Sequence, residues 1–425
     1  MQVPVNTISA GSLHAVVLLG NGTVWGWGLD MLGQCGDNRT ANSPTVQLIP
    51  VEAEVSGVKS ISSGGFFTIA LMDDGTVWAW GANTWGQLGR NQNDSHPIPA
   101  VIPGLSNITS ISAGSEFALA LKEDGTVWAW GHNEYGQLGD GAPSDQNINS
   151  WYMAHRSTPD RVVGLSDIKL ISAYETNALA VDGAGNIWAW GGYRLNMSTL
   201  NGFSTPARFG VLKNVTAVSR NGFLTSDGRV YVLTFNSSKL TKDPQGVPYD
   251  LVEVPGLTNI TMISFGRGHC AALKDDGTVW TWGDNSYGQL GDGTNKSRPI
   301  PMRVHGLSNI THIAAGDAYT IAISEDGTIW GWGDDSCGQL GDGDSGHGLY
   351  KKSPVPAKLT SSMELNTLNV TPIPAASDSN GLPIAMPSSS SKTLVNGLSN
   401  SIMLGLIIIL LLVCGVLYLA LRGKK

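Results

Sequence analysis

Residues 111–140 read ISAGSEFALALKEDGTVWAWGHNEYGQLGD, and this stretch decides the fold because the chain repeats it. Seven copies follow one another with a mean spacing of about 50 residues. A fixed period of this length is typical of stacked supersecondary units. The copies begin at Ile8, Ile61, Ile111, Ile171, Val218, Ile263 and Ile313.

A two-residue turn divides each copy into two alternating apolar runs. In the third copy, Asp124-Gly125 lies between Phe117–Leu121 and Thr126–Trp130. Asp-Gly between alternating runs is a strong β-hairpin signal, because glycine reaches positive φ without steric cost. Each repeat therefore predicts one tight hairpin of two adjacent strands. The turn recurs as Asn21-Gly22, Asp74-Gly75, Asp227-Gly228, Asp276-Gly277 and Asp326-Gly327, and the fourth copy has Gly185-Asn186 in its place.

Tryptophan pairs mark the second strand of the hairpin in most copies. Residues i and i+2 share one face of a strand, so both rings of a Trp-x-Trp pair are expected to pack against the next sheet. Radial sheets with a periodic aromatic motif indicate a β-propeller, and seven repeats fall within the usual range of about four to eight blades. The sequence thus predicts an all-β, seven-bladed β-propeller. The pairs are Trp25/Trp27, Trp78/Trp80, Trp128/Trp130, Trp188/Trp190, Trp280/Trp282 and Trp330/Trp332.

A loop of the type Asn-x-Tyr-Gly-Gln-Leu-Gly-Asp follows the second strand, as at Asn133–Asp140 and Asn285–Asp292. With the Trp-Gly end of that strand, this loop resembles the repeat of the regulator of chromosome condensation family. The resemblance covers roughly residues 1–360 and implies a seven-bladed propeller. Two adjacent copies depart from the motif. The fourth has Gly191–Asn196 in place of the loop, and the fifth keeps the Asp227-Gly228 turn but has no tryptophan.

The ends of the repeat region bear on how the ring closes. The first copy starts within ten residues of Met1, so its leading strand is expected to be nearly absent. The last copy is followed by Ser353–Leu359, which resembles the outer-strand segment of other copies. We expect this segment to pair beside the first hairpin, which would close the ring and remove an open sheet edge.

Composition and motifs exclude several function classes. The formal net charge is −8 and no basic stripe is present, which disfavours nucleic-acid binding through phosphate neutralisation. The four cysteines lack metal-ligand spacing, and the chain has no nucleophile, zinc or phosphate-loop signature. The eight histidines fall in different repeats, and His14 and His269 occupy equivalent places, as expected of structural residues. We therefore expect no metal, no cofactor and no enzymatic activity.

The chain changes character after residue 360. Residues 361–400 are rich in Ser, Pro and Asn and predict a flexible stalk. Residues 401–421 predict a transmembrane helix, because Ile402 to Leu421 are 20 consecutive uncharged residues, enough to span a bilayer core of about 30 Å. Residues 422–425, Arg-Gly-Lys-Lys, predict a basic cytoplasmic tail.

The orientation of this single-pass protein remains a choice between two alternatives. The basic C-terminus favours an extracytoplasmic propeller at the cell membrane. Residues 1–19 contain no export signal, so this orientation carries the expectation that the chain lacks its original N-terminus. An excess of Asn-x-Ser/Thr sequons also favours a glycosylated surface. The alternative is a tail-anchored protein with its propeller in the cytosol. The candidate glycosylation sites are Asn38, Asn93, Asn107, Asn196, Asn214, Asn236, Asn259, Asn295, Asn309 and Asn369.

Two loops break the period and are candidates for ligand binding. Extra loops on one face of a repeat protein often form its binding surface, and Tyr, Trp and Arg are enriched at binding hot spots. The first loop, Ala142–Pro159, provides Trp151, Tyr152, His155 and Arg156. The second, Asp344–Ser353, provides His347 and Tyr350.

Together these features predict a membrane-anchored, cell-surface propeller that binds a protein or a glycan and is not an enzyme. The family resemblance implies an alternative, guanine-nucleotide exchange on a small GTPase by a cytosolic propeller. Hydrolysis of a polysaccharide would require two carboxylates about 5–10 Å apart, a pair that the sequence does not place.

Overall fold

A computed structural model describes residues 5–38, 46–90, 94–141, 155–194, 200–235, 249–343 and 352–358. These residues form seven four-stranded antiparallel sheets, each made from one continuous stretch of chain. The chain divides into two units, Met1–Thr367 and Leu368–Lys425, and every described residue belongs to the first. The predicted seven-bladed propeller is confirmed.

The strand bounds follow the repeats. Blade 1 consists of β1 (Val5–Ala10), β2 (His14–Leu19), β3 (Val24–Leu29) and β4 (Val46–Glu52). Blade 2 consists of β5 (Val58–Ser63), β6 (Phe67–Met72), β7 (Val77–Gly81) and β8 (His96–Val101). Blade 3 consists of β9 (Ile108–Ala113), β10 (Phe117–Lys122), β11 (Val127–His132) and β12 (His155–Arg161). Blade 4 consists of β13 (Ile168–Tyr174), β14 (Asn177–Asp182), β15 (Asn186–Arg194) and β16 (Leu200–Val211).

The remaining blades have the same order. Blade 5 consists of β17 (Val215–Ser219), β18 (Gly222–Thr225), β19 (Val230–Phe235) and β20 (Tyr249–Glu253). Blade 6 consists of β21 (Ile260–Phe265), β22 (His269–Lys274), β23 (Val279–Gly283) and β24 (Arg298–Arg303). Blade 7 consists of β25 (Ile310–Ala315), β26 (Tyr319–Ser324), β27 (Ile329–Asp334) and β28 (Lys352–Lys358).

The two faces of the propeller differ in which connections they carry. We call the strands of each blade A to D in chain order, with strand A lining a central channel. Connections between A and B and between C and D lie on one face, the AB/CD face. The B–C hairpin turns and the D–A links lie on the other, the BC/DA face. The predicted hairpins are confirmed as the B–C pairs, for example β10 with β11 around Gly125 at a φ of +76°.

The tryptophan pairs are buried to different extents. The second ring of each pair lies between neighbouring sheets, and Trp27, Trp80, Trp130 and Trp332 are fully buried. The first ring of each pair is only half-buried, because it lies two residues closer to the B–C turn at the rim of the blade. The expectation of burial between sheets is therefore confirmed for the inner ring of each pair and only partly for the outer ring.

Ring closure differs from the sequence expectation. Strand β28 pairs with β27 as the outer strand of blade 7, and β1 pairs with β2 as a full inner strand of blade 1. The expected pairing of residues 353–359 beside the first hairpin is wrong. The ring closes without a shared strand, because Ile8, Val17 and Trp27 of blade 1 share one apolar cluster with Tyr319 and Ile321 of blade 7.

The predicted stalk, the predicted membrane span at Ile402–Leu421 and the basic tail lie outside the described residues. Within the described residues, no helix is long and apolar enough to cross a membrane.

Candidate binding face

The BC/DA face is regular, and its regularity explains many of the sequons. At the end of the D–A link, the backbone φ is between +52° and +59° at Asn107, Asn214, Asn259 and Asn309. Asp167 and Gly57 occupy the equivalent place with positive φ, and Asn, Asp and Gly are the residues that tolerate this conformation. The sequon threonine is also structural, since Thr109 Oγ1 donates to the Leu121 carbonyl at 3.2 Å.

These four sequons therefore have a conformational origin that is independent of glycosylation. Their asparagines are exposed, as are Asn38 and Asn295 on the C–D connections. The other candidates, Asn93, Asn196, Asn236 and Asn369, lie outside the described residues.

On the AB/CD face, the Gly-Gln-Leu-Gly loops join neighbouring blades. The backbone carbonyl of the loop glutamine accepts a hydrogen bond from the inner tryptophan of the next blade. Five interfaces have this bond, from Trp27 to Gln339 (2.9 Å), Trp80 to Gln34 (3.0 Å), Trp130 to Gln87 (2.9 Å), Trp190 to Gln137 (2.9 Å) and Trp332 to Gln289 (2.8 Å).

The two departures from the repeat are thus one structural change. The loop missing from blade 4 would be the acceptor for the tryptophan missing from blade 5, so donor and acceptor are lost together at that interface. Both departures are visible in the sequence, but the sequence does not show that they belong to the same interface. Among the described residues, Trp282 of blade 6 has no acceptor either, because blade 5 lacks the loop that would supply it.

Strand A carries a second set of contacts between blades. The serine of the Ile-Ser-Ala-Gly motif accepts a hydrogen bond from the backbone of the next strand A, at 2.8–3.1 Å. The acceptors are Ser9, Ser62, Ser112, Ser172, Ser219 and Ser264. Blade 7 has Ala314 at this place, so the interface between blades 7 and 1 lacks this bond.

The A–B turns of blades 4 and 5 bring charged residues to the mouth of the channel. In the other blades a glycine such as Gly114 is required, because an added Cβ would lie 2.0–2.6 Å from the ring three residues later. Blade 4 has Tyr174 at the position of this glycine and Asn177 at the position of the aromatic residue. Blade 5 has a shorter turn, in which Ser219 pairs with Gly222 around Arg220.

The side chains at the channel mouth contact each other across four blades. The guanidinium of Arg220 lies 4.2 Å from the centre of the Tyr174 ring and 3.7 Å from the Asp317 carboxylate. The Tyr174 hydroxyl donates to Glu175 at 2.8 Å, and Arg267 pairs with the same carboxylate at 3.2 Å. Burial raises the pKa of Tyr174, which keeps its hydroxyl protonated. Both channel-lining carboxylates are thus paired with arginine.

A second cluster lies on the same face between blades 2 and 3. The ring of Trp85 packs 4.5 Å from that of His132, whose two nitrogens lie 3.6 Å from Glu116 and from Glu134. Burial lowers the pKa of His132 to about 4, assisted by the nearby His155. Desolvation raises the pKa of Glu116 to about 7. At neutral pH the imidazole is therefore uncharged beside a partly protonated Glu116.

The structure places two of the six predicted binding residues. His155 joins the His132 cluster, with its ring 6.4 Å from Trp85. Arg156 holds the repeat loop, because its Nε donates to Asp140 at 2.9 Å as Arg298 does to Asp292 at 2.7 Å in blade 6. Trp151, Tyr152, His347 and Tyr350 lie outside the described residues.

The histidines that the sequence identified as structural are buried between blades. Nε2 of His14 lies 3.1 Å from the Thr68 hydroxyl, and Nε2 of His269 lies 2.9 Å from that of Thr320. Each threonine donates its own hydrogen to a glutamine carbonyl, so each histidine must donate from Nε2. Burial lowers the pKa of both imidazoles to about 3. No group of side chains suited to a metal ion occurs among the described residues.

Comparisons with known proteins agree with the repeat. The family model described as the regulator of chromosome condensation (RCC1) repeat matches residues 21–71, 74–121, 124–174 and 276–323. A second model of the same repeat matches residues 58–87, 108–137, 260–289 and 310–339. The matched ranges together span more than half of the chain, and neither model matches blade 5.

Curated relatives are similar over most of the propeller. The chain is 25% identical over 299 residues to the X-linked retinitis pigmentosa GTPase regulator homolog of Caenorhabditis elegans, covering 70% of this chain and 21% of that protein. It is 28% identical over 314 residues to the ultraviolet-B receptor UVR8 of Arabidopsis thaliana, covering 70% of this chain and 69% of the receptor. The chain thus spans about a fifth of the nematode relative.

Among solved structures, the chain is similar to yeast RCC1 (Prp20) in its crystal structure with Kap60. The identity is 19%, the match covers 84% of this chain and 75% of the other, and the TM-score is 0.49.

Proposed function

Because this chain belongs to the regulator of chromosome condensation (RCC1) repeat family, we propose that it is a protein-interaction module whose partner binds the AB/CD face of the propeller. The BC/DA face repeats one turn and one link with little variation. The AB/CD face carries the departures from the repeat.

One observation carries this proposal. The channel-mouth residues Tyr174, Arg220 and Asp317 come from three different blades and meet on the AB/CD face. The His132 cluster lies on the same face. Binding residues concentrate on irregular connections that a rigid scaffold positions, and here the scaffold is the ring of blades.

Site-specific photocrosslinking tests which face binds. A photoreactive phenylalanine analogue at Tyr287, which is 39% exposed on the AB/CD face, should capture a partner in cells. The same analogue at Lys213, exposed on the BC/DA face, serves as the matched control. Capture from Lys213 alone would contradict the proposal.

We further propose that Ile402–Leu421 anchors the protein in the cell membrane with the propeller outside, where it acts without enzymatic activity on a protein or glycan. The support is the uncharged stretch of 20 residues followed by Arg422, Lys424 and Lys425. Protease added to intact cells should degrade the propeller. A protected and unglycosylated propeller would place it in the cytosol.

A second candidate function is regulation of a small GTPase. The name of the nematode relative, a GTPase regulator homolog, supports it. A panel of purified small GTPases loaded with fluorescent GDP should then release nucleotide faster when the propeller is added. Unchanged release across the panel would leave the interaction module without exchange activity.

A further inference from the structure

The channel mouth contains a guanidinium whose hydrogen-bonding capacity is unused. Nη1 of Arg220 is buried and has no hydrogen-bond partner among the described residues. Within the described residues, Arg220 forms one ion pair, in which its Nη2 lies 3.7 Å from Asp317 Oδ1. This distance is too long for a hydrogen bond. Leaving a buried N–H without an acceptor is costly, so the site gains when the guanidinium turns this nitrogen toward an acceptor that a ligand brings into the cavity.

The backbone and the stacked face of this arginine are fixed before any ligand arrives. Its backbone N–H donates to Ser172 at 2.8 Å, the bond that anchors strand A in the other blades. Its guanidinium stacks on Tyr174, and the side chain is only 15% exposed. The backbone φ is +52° at Arg220 and +42° at Glu175, values that are rare for residues other than glycine. Such a conformation persists only where the surrounding contacts hold the turn in place.

The space in front of Arg220 limits the size of the ligand. The cavity has a volume of about 180 Å³ and is lined by strand A serines and by the A–B turns. Pockets that enclose a whole small-molecule ligand usually measure about 300–1,000 Å³. The cavity therefore suits one polar side chain or a chain end, inserted from the AB/CD face.

The geometry points to a carboxylate-binding site at the channel mouth, in which Arg220 receives an Asp or Glu side chain or the C-terminal carboxylate of a partner protein. A guanidinium fork matches a planar carboxylate with two parallel hydrogen bonds. This inference rests on the proposed function, because it names the chemistry of the group that the AB/CD face accepts.

The neighbouring charges favour a carboxylate over a phosphate. Glu175 and Asp317 line the same cavity, so a dianionic phosphate meets two like charges. Arg220 and Arg267 balance these two carboxylates, which leaves the mouth nearly neutral. Binding then depends on direct hydrogen bonds from the fork and should vary little with ionic strength.

Peptide selection tests the site directly. Random dodecapeptides displayed on phage are selected against the full chain, and the best binder is synthesised with its acidic group intact or converted to the amide. We expect an essential Asp, Glu or free C-terminus, whose conversion weakens binding at least tenfold. Arg220→Gln should have a similar effect, and Arg220→Lys, which keeps the charge but loses the fork, should weaken binding severalfold.

Arg229→Gln is the matched control, because Arg229 is an ion-paired arginine of the same blade on the BC/DA face. It should leave binding unchanged. Thermal unfolding of each variant checks the fold, and Arg220→Lys keeps the test valid if Arg220→Gln does not fold.

Other outcomes separate the two proposals. Peptides that bind wild type and Arg220→Gln equally, or that require phosphate, overturn the carboxylate site and leave the binding face standing. A partner captured only from Lys213 overturns the binding face, whereas acidic peptides would still require Arg220 if the carboxylate site is correct.

Discussion

The indole Nε1 of Trp27 in blade 1 donates a hydrogen bond at 2.9 Å to the backbone carbonyl of Gln339 in blade 7, 312 residues later. No strand is shared between these blades, so this bond closes the ring together with the apolar packing around it, the bond from the Tyr319 hydroxyl to the Gly11 carbonyl at 3.2 Å and the bond from the Gly343 N–H to the Leu48 carbonyl at 3.0 Å. The equivalent tryptophan–glutamine bond is present at four other interfaces. Its contribution to stability can therefore be measured by comparison with the interface of blades 5 and 6, where Trp282 has no such acceptor among the described residues.

Replacing Trp27 with Phe should lower the free energy of unfolding by about 1–3 kcal/mol. Phenylalanine keeps an aromatic ring at this place, but the Gln339 carbonyl loses its buried hydrogen-bond donor. Urea unfolding measures the change. Trp282→Phe is the control, since that indole has no acceptor among the described residues. Equal losses for both variants would show that ring packing, and not the hydrogen bond, stabilises closure.

The buried histidines should make the propeller sensitive to acid. The pKa of His14 and of His269 is about 3 in the folded chain and 6.5 when unperturbed. Between these values the unfolded chain binds more protons, so the free energy of unfolding falls as the pH drops below about 6.5 and is unaffected by these groups above it. Each histidine should cost about 2 kcal/mol at pH 5.

The chain itself provides the variant that tests this acid sensitivity. Histidine faces threonine between blades 1 and 2, whereas Phe67 and Ala118 share a core cluster between blades 2 and 3. The double variant His14→Phe/Thr68→Ala should remove the contribution of one histidine. Urea unfolding at pH 5.0 and pH 7.5 measures the difference, and an unchanged difference would exclude His14 as a source of acid sensitivity.

Gly114→Ala should destabilise the propeller by about 1–3 kcal/mol through overpacking. An added Cβ would lie 2.2 Å from Cε1 of Phe117. Gly210→Ala is the control, because a Cβ there meets no atom within 4 Å. Thermal unfolding compares the two, and a Gly114→Ala variant as stable as the control would refute the steric reason for the glycine.

The missing seventh serine can be restored. Ala314→Ser should add the bond between blades 7 and 1 that the other strand A serines make, worth about 0.5–1.5 kcal/mol. Ser112→Ala should remove a similar amount at the interface of blades 3 and 4. Chemical unfolding of both variants shows whether the gain from Ala314→Ser matches the loss from Ser112→Ala. Destabilisation by Ala314→Ser would mean that blade 7 has no room for the hydroxyl.

The D–A link sequons separate conformation from glycosylation. Asn107→Asp should keep the fold, because Asp167 adopts the same positive φ in the next link. Asn107→Val should destabilise the protein, since a β-branched residue tolerates this conformation poorly. Expression through a secretory pathway then shows by mass whether Asn107→Asp removes a glycan, and an unchanged mass means that this sequon is not used.

Much of the architecture was predictable because it is local and repeated. A turn such as Asp124-Gly125 determines its own hairpin, and seven occurrences make the period clear. The binding face was predictable only in part. His155 joins a cluster with Trp85 and His132 from other loops, which no spacing in the chain indicates, and Arg156 proved to be a repeat contact to Asp140.

The sequence by itself determined the number of blades, their hairpins and the positions of the tryptophans, because these depend on backbone conformation and side-chain alternation within about 30 residues. The tertiary structure alone decided which blade each tryptophan bonds and why two adjacent blades lose donor and acceptor together. It also decided that Tyr174, Arg220 and Asp317 meet at one channel. The physical reason is that these contacts join residues 43 or more positions apart, and only closure of the ring brings them within a few ångströms.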